Sequence, residues 1–455
     1  MVTARKRIWG WYFFDWASQP YNTLLLTFIF GPYFAETARG YYMGTGMEEE
    51  AAKAAAQAYW GFGLAIASAI IAVLAPILGA VADGTGRRLL WVWIFSAFYI
   101  VGSSALWWVA PGGDQGMLFW AVTFFGLGFI GMEFATIFTN SLMPSLSDHD
   151  DLGAISGYGF AFGYLGGLLA LVLMLLLLAE NAATGTTLLG IEPIFGLDPE
   201  AREGTRAVGP FTAVWYAVFM VPFFLWVKEP KTGARPLDIG AALSALKALL
   251  VSLRYRRSLS AYLVSSLFYR DALNALYGFG GVYASGVLNW SIIQIGTFGV
   301  LGATTAMVAS WFGGRADRRY GPKPVITLSI LVLILVCFII VGMTREQVWG
   351  IALDPASSTP DRIFYICGAL IGAAGGTLQA ASRTMMVRHT TPERATEAFG
   401  LFALSGKVAS FMSPFLIGVV TAISGSQRIG ISPLILLFAI GLVLLIWVKP
   451  GGERA

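Results

Sequence analysis

Residues Gly79–Arg88 read GAVADGTGRR, and residues Gly313–Lys323 read GGRADRRYGPK. In both, an Asp (Asp83, Asp317) follows a Gly (Gly79, Gly313) by four residues, and a second Gly with basic residues closes the turn: Gly86, Arg87 and Arg88 in one, Arg318, Arg319, Gly321 and Lys323 in the other. Each segment stands between long apolar runs. A helix crossing the hydrocarbon core needs about 20 mostly apolar residues. Twelve such runs can be placed, beginning near Ile8, Tyr59, Arg88, Met117, Gly153, Ala207, Ser258, Trp290, Pro324, Asp361, Glu397 and Ile431. The repeated turn follows the second run and the eighth, so six spans occur twice, a pattern of internal repetition. The expected fold is therefore an all-α membrane protein, with twelve transmembrane helices in two pseudo-symmetric six-helix bundles. Its domains are residues 1–227, a linker at 228–257, and residues 258–455.

Composition agrees. Of 455 residues, 56% are hydrophobic and only 12% charged, against about a quarter charged in soluble domains. A transmembrane β-barrel would alternate apolar and polar residues, and runs such as Ala170–Ala179 do not. Arg5, Lys6 and Arg7 lead directly into the first span without a small-residue cleavage site, so that span is expected to stay as helix 1 rather than leave as a signal peptide. With the N-terminus inside, the inner segments hold 20 Lys and Arg, and the outer ones hold 7 (Arg39, Lys53, Arg202, Arg206, Arg345, Arg362, Arg428). Positive residues favour the cytoplasm. Both termini are expected there, in a bacterial inner membrane, with the net charge of +4 serving topology and no nucleic-acid partner. Cys337 and Cys367 sit in apolar spans and read as packed thiols.

The linker changes from the charged KEPKTGARP to DIGAALSALKALLVSLRYRR. Asp238 suits an N-cap, and Leu243, Leu246, Leu249, Leu250 and Leu253 form an apolar stripe beside Lys247 and Arg254, as in a helix lying on the inner leaflet.

The paired turns and the six-plus-six layout resemble the major facilitator superfamily. More narrowly, FDWASQPY (Phe14–Tyr21), TNSLMPSL (Thr139–Leu146) and the stretch Gly375–Gly418, which begins GGTLQAASRTMMVRHTTPERATEAFG, resemble its vacuole-effluxer branch. The resemblance implies a transporter working by alternating access. It suggests amino acids as substrates for fungal members and leaves bacterial substrates open. In that family Asp15, Trp16 and Ala17 are followed by Asn-Ser; here Ser18, Gln19 and Pro20 follow. Its Tyr-Asn-Asp-Gly pattern becomes Tyr269, Arg270, Asp271 and Ala272.

Ionisable groups in the hydrocarbon core cost about 2.5 to 3.5 kcal/mol on insertion scales and usually face an interior path. Asp15 lies in helix 1, Glu133 in helix 4, Arg270 and Asp271 in helix 7, Arg383 in helix 10 and Lys407 in helix 11. Residues three, four or seven apart share a helix face. Asp15 thus lines up with Ser18, Gln19 and Asn22; Glu133 with Thr136 and Asn140; Asp271 with Asn274 and Gly278; and Arg383 with Gln379. At ~1.5 Å per residue, Asp15 and Arg383 lie about 8 to 13 Å deep, with Glu133, Asp271 and Lys407 nearer the middle. These groups are the candidates for binding solute or proton. The competing reading is that they pair with one another and hold the bundles together, Arg270 with Asp271 above all.

Other features read as structural. Gly157, Gly159, Gly163, Gly166 and Gly167 permit close helix approach, and Pro20, Pro76, Pro144 and Pro414 bend or end helices. His149 and His389 read as solvated loop residues; Glu48, Glu49 and Glu50 as an exposed helix start; Trp9, Trp11, Trp107 and Trp108 as interfacial aromatics. No phosphate loop, metal-spaced His/Cys set or nucleophile elbow occurs, which disfavours an enzyme or an ATP-driven pump. The expected function is gradient-driven transport of a small polar or zwitterionic solute by a monomer without cofactor, powered by a proton or ion gradient. The rivals are export of an amphiphile such as a lysolipid or drug-like compound, and a non-transporting receptor or assembly factor with the transporter fold.

Overall fold

A computed structural model describes residues 3–147, 151–229, 239–288, 290, 292–354, 357–408 and 410–453. Among the described residues, ten helices are long and apolar enough to cross a membrane. Two further long helical segments complete the twelve spans of a major facilitator fold. They are the first in each half of the chain: the run from Ala4 to Gly44 (span 1) and Arg257–Leu288 (span 7). Both fall short in composition because of the polar residues that mark them, Asp15, Gln19 and Asn22 in span 1, and Arg270, Asp271 and Asn274 in span 7.

Span 2 is Glu49–Thr85, span 3 Arg88–Ala105, span 4 Gln115–Ser141, span 5 Leu152–Leu177, and span 6 Val208–Phe219 with Val221–Trp226. Span 8 is Ile292–Tyr320, span 9 Pro322–Val341, span 10 Thr359–Arg388, span 11 Ala395–Val408 with Met412–Ser424, and span 12 Pro433–Leu444. Span 2 starts ten residues before the sequence reading placed it. The Ala-rich stretch after Glu48 is so good a helix former that it runs into the apolar segment without a break. A two-stranded hairpin, Gln347–Val348 with Ile351–Ala352, caps the connection from span 9 to span 10.

Contacts gather the chain into two compact units. Unit 1 contains Met1–Leu74, Arg87–Thr139 and Phe162–Thr232; unit 2 contains Ala75–Gly86, Asn140–Ala161 and Gly233–Ala455. Within unit 1, span 1 changes its winding at Pro20. An α-helix runs Ala4–Pro20, a π-helix Tyr21–Phe28 and an α-helix again Phe30–Gly44. Proline lacks the N–H that would bond the carbonyl four residues back, and the released Trp16 carbonyl instead accepts from the Trp215 indole at 3.2 Å. Gly163, Gly166 and Gly167 let span 5 close on span 1: a Cβ on them would stand 3.1 Å from the Asp15 carbonyl oxygen, 2.8 Å from that of Trp16 and 2.6 Å from Thr23 Oγ1. Trp9 and Trp108 are exposed, but Trp11 is fully buried and donates to the Thr139 carbonyl at 3.0 Å. A helix-packing position has claimed what the sequence suggested as an interfacial ring.

Within unit 2, span 5 crosses span 8 backbone to backbone. A Cβ on Gly157 would meet Gly314 Cα at 2.4 Å. Span 10 packs against spans 8 and 9, where a Cβ on Gly372 would stand 2.1 Å from the Gly302 carbonyl oxygen. Cys337 and Cys367 are buried and unbridged. The linker helix Ile239–Ser252 is present, with Leu246 buried and Lys247 and Leu250 exposed. Asp238 and His149, as well as the side chains of Leu243 and Leu249, lie outside the described set.

Candidate functional site

Span 1 carries one polar stripe that is partly covered, Asp15 and Gln19 lying against Gly163 and Gly167 of span 5. Asp15, Gln19 and Asn22, four and three residues apart, are each half-buried, whereas Ser18 is buried. On span 4, Glu133 and Thr136 are half-buried with buried neighbours on both sides. The Thr136 hydroxyl donates to the Met132 carbonyl at 2.8 Å, and the Asn22 amide lies 4.0 Å from the Met132 sulfur. The partly accessible wall of unit 1 is thus acidic and amide-bearing.

The wall of unit 2 is organised by a break in span 11. Its first segment ends at Val408, its second begins at Met412, and adjacent residues of span 7 serve the two sides of the break. Asp271, 2% exposed, accepts from the Ser413 backbone N–H at 2.9 Å and the Ser413 hydroxyl at 2.6 Å. A carboxylate there satisfies orphan donors and complements the positive helix end. Arg270 reaches back to the other segment. Its guanidinium donates to the Phe402 carbonyl at 2.7 Å, stacks 4.0 Å above the Phe402 ring, and stands 2.7 Å from where a Cβ of Gly406 would be. A cation beside the C-terminal turn meets the negative helix end. The expected mutual pair is therefore replaced: ~100° of helix separates neighbouring side chains, and each serves a different half of span 11. Lys407 is half-buried in the last turn of the first segment. Asn274, Tyr277 and Gly278 are exposed on span 7, and the Gln379 amide donates to the Gly375 carbonyl at 3.4 Å on span 10.

Arg383 is 3% exposed and joins three spans. Nε donates to Ser156 Oγ at 2.9 Å, Nη2 to the Ser156 carbonyl at 2.8 Å and Nη1 to Asn140 Oδ1 at 3.2 Å, with the guanidinium 4.4 Å from the Phe160 ring. It ties the stretch holding Asn140 to the stretch Gly375–Gly418, two of the three on which the family resemblance rests.

The repeated turns share backbone form but not chemistry. Gly86 (φ 66°) and Gly321 (φ 83°) both occupy the left-handed region that favours glycine. Asp83 caps span 11, its carboxylate accepting from Glu397 N–H at 2.8 Å and Thr396 N–H at 3.3 Å, and Gly79 allows the approach because a Cβ there would stand 2.7 Å from the Thr396 carbonyl oxygen. Asp317, 1% exposed, lies against Gly153 in the first turn of span 5. Gly313 faces Thr377 of span 10, Arg318 pairs with Asp151 at 2.8 Å, Arg87 is exposed and Arg88 is buried.

Several contributors were hidden in the sequence. Glu229, in the charged stretch after span 6, accepts from the Leu89 N–H at 3.0 Å and so caps span 3; burial pushes its carboxyl above the usual range. Glu180 accepts from Arg202 at 2.8 Å and from the Thr205 hydroxyl at 2.6 Å between spans 5 and 6. His389 is not solvated. It is fully buried where the start of span 7 meets the C-terminal segment, bonding Ser258 Oγ at 2.8 Å and the Met385 carbonyl at 2.9 Å, and burial lowers its pKa. Only its company of Arg388 and Thr390 was legible, and that suggested a loop.

Twelve spans, two Asp-bearing turns and polar walls on the first helix of each half define a transporter of the major facilitator type, not an enzyme. The chain belongs to the family described as vacuole effluxer Atg22 like, which it matches over residues 3–452. It is 25% identical to the uncharacterized MFS-type transporter YxiO of Bacillus subtilis (strain 168), over 96% of this chain and 94% of that protein. It is 23% identical to autophagy-related protein 22 of Cryptococcus neoformans var. neoformans serotype D (strain JEC21 / ATCC MYA-565), over 64% of this chain and 49% of that protein, so it spans about half the length of this fungal relative. Among solved structures, the human organic anion transporter MFSD10 aligns with a TM-score of 0.68 at 16% identity, covering 98% of this chain and 100% of that one, a likeness of fold.

Proposed function

We propose that the chain moves a small zwitterionic solute, an amino acid or a derivative, across a bacterial inner membrane by alternating access, with proton movement as the energy source. The observation that carries the reading is the division of charge. The partly accessible groups of unit 1 are carboxylates, Asp15 and Glu133, and those of unit 2 are cations, Arg270 and Lys407. Ionisable groups of both signs within the spans suit a solute that itself carries both signs, and amide-bearing positions such as Asn22, Asn274 and Gln379 suit a polar one. Glu133 serves as the acceptor of a proton or of the ammonium group, since a carboxylate held within a span is placed to meet a positive charge. Arg383 keeps its charge at any physiological pH and binds anionic groups once the Asn140 and Ser156 contacts open. The protein acts as a monomer with both termini and the linker in the cytoplasm.

Counterflow in proteoliposomes tests this. Wild-type protein preloaded with an amino-acid mixture should accumulate labelled amino acid, and Glu133→Gln should abolish proton-linked uptake while the folded protein remains. A chain without counterflow for any solute would be a receptor or assembly factor. A second reading, amphiphile export, is favoured by an apolar groove of about 540 Å³ between spans 8, 9 and 10, lined by Val308, Phe312, Val325 and Leu328. Lysolipid transport unaffected by Glu133→Gln would select it.

A further inference from the structure

Asp83 and Asp317 occupy matching places in the repeated turn, yet their surroundings are opposite. Asp83 is half-buried and takes two backbone N–H bonds from span 11. Asp317 is 1% exposed, and neither of its carboxyl oxygens has a hydrogen-bond partner among the described residues. Its carboxyl carbon lies 2.6 Å from where a Cβ of Gly153 would stand, so it presses on the Cα of span 5 instead of meeting the N–H groups there. The two nearest donors, Thr384 and Arg388, reach towards this carboxyl but are shared with other acceptors. The Thr384 hydroxyl donates to the Ala380 carbonyl at 3.3 Å, and Arg388 Nη1 to the Pro450 carbonyl at 3.0 Å. The remaining charged groups around this crossing are also placed: Arg315 stacks on Trp311, Arg318 is paired with Asp151, Arg383 is held by Ser156 and Asn140, and Lys323 donates to the Val448 carbonyl. Arg319 lies by the Tyr320 ring, and span 5 contributes no charged side chain between Leu152 and Leu177. Asp148, His149 and Asp150 lie outside the described residues.

A buried carboxylate without donors is far costlier than a buried neutral carboxyl, and such groups take up a proton instead. We propose that Asp317 is a proton-binding site, protonated while the crossing of spans 5 and 8 is shut and releasing its proton to water when the crossing opens. The chain would then read the pH at this end of its helices. Because the shut form binds the extra proton, acid favours it and alkali favours opening. The proposal shares with the transport reading only the assumption that the crossing opens, and it needs no substrate to be tested.

The crossing is reported by a cysteine at Ala154, 5% exposed beside Gly153, in a chain with Cys337→Ser and Cys367→Ser, reconstituted in lipid vesicles. Its rate of thiol labelling, taken as a ratio to that of a solvent-exposed cysteine at the same pH so that thiolate formation cancels, should rise with pH, by up to about tenfold per pH unit for one linked proton, and all labelling rates below are this ratio. Asp317→Asn, which mimics the protonated group, should hold labelling at the low-pH rate throughout. Infrared difference spectra should show a protonated-carboxyl band at neutral pH that Asp317→Asn removes. A flat pH dependence in the parent chain would overturn the proposal even if no variant folds. A dependence that survives Asp317→Asn but is lost in His149→Gln would overturn it too, since the titrating group would be His149.

Discussion

At the scale of single residues, adjacent side chains of one helix can serve opposite ends of a broken neighbour. Asp271 caps the second segment of span 11 through Ser413, while Arg270 lies along the first. Asp271→Asn keeps a side-chain oxygen for the Ser413 N–H and is expected to fold normally but lose proton-linked transport. Asp271→Ala removes the cap, worth about 0.5 to 2 kcal/mol, and is expected to lower thermal stability in detergent as well. Equal stability of the two variants would show that the cap contributes nothing. His389 gives a pH prediction of definite sign. Burial lowers its pKa below the ordinary 6.5, so the folded state binds fewer protons than the unfolded one. The stability it supports is complete above pH 6.5 and falls as pH drops towards the lowered pKa. Acid thermal-shift curves should therefore be flatter for His389→Gln than for wild type. These residue types and depths could be read from the sequence, and the partners could not. Neither the Asp271–Ser413 nor the Arg383–Ser156 contact has a local signature, because 142 and 227 residues separate the partners.

At the scale of elements, the apolar runs and the Gly-closed turns announced the helices directly, since a bilayer demands length and apolarity and a left-handed turn favours glycine. Interruptions were less legible. Pro20 marked a bend in span 1, but nothing local distinguished the π-helical turns that follow it, and the break in span 11 falls five residues after Ala403, with Pro414 beyond it. Trp215 donates to the carbonyl that Pro20 leaves open, so Trp215→Phe should cost about 0.5 to 1.5 kcal/mol, the net worth of one hydrogen bond in a half-buried place. In the Pro20→Ala background, where the helix N–H is restored, the same change should cost much less. A double-mutant cycle from detergent melting reads the difference, and additive effects would disconnect the two residues. Glycine contacts make a sharper case. Gly163→Val would push a side chain into the Asp15 backbone 3.1 Å away, and is expected to reduce transport at least as much as Asp15→Asn while leaving membrane insertion intact.

At the scale of the whole molecule, the sequence displays a repeat whose two copies have diverged in use. One Asp is a well-satisfied cap and the other a buried carboxyl whose oxygens lack a well-formed hydrogen bond among the described residues, although both turns keep the same glycine geometry. The proposal that both termini and the linker lie in the cytoplasm rests on the 20-to-7 division of basic residues across the connections. Single cysteines near residues 235 and 200 check it: an impermeant reagent applied to intact cells should label only the second, and the opposite pattern would invert the assignment. Substrate identity belongs to this scale as well, and composition carries no trace of it. The proposal of a zwitterionic solute rests on ionisable side chains of both signs within the spans. The central proposal is that charged side chains within the spans, Glu133 among them, recognise a solute that carries both an ammonium and a carboxylate group. Competition against labelled amino-acid counterflow, in wild type and in Glu133→Gln, measures this most directly. Blocking the ammonium group should abolish competition in wild type, and Glu133→Gln should make the blocked and unblocked compounds equally poor competitors. Wild-type counterflow indifferent to the ammonium group, or a Glu133→Gln protein that still discriminates, would contradict it.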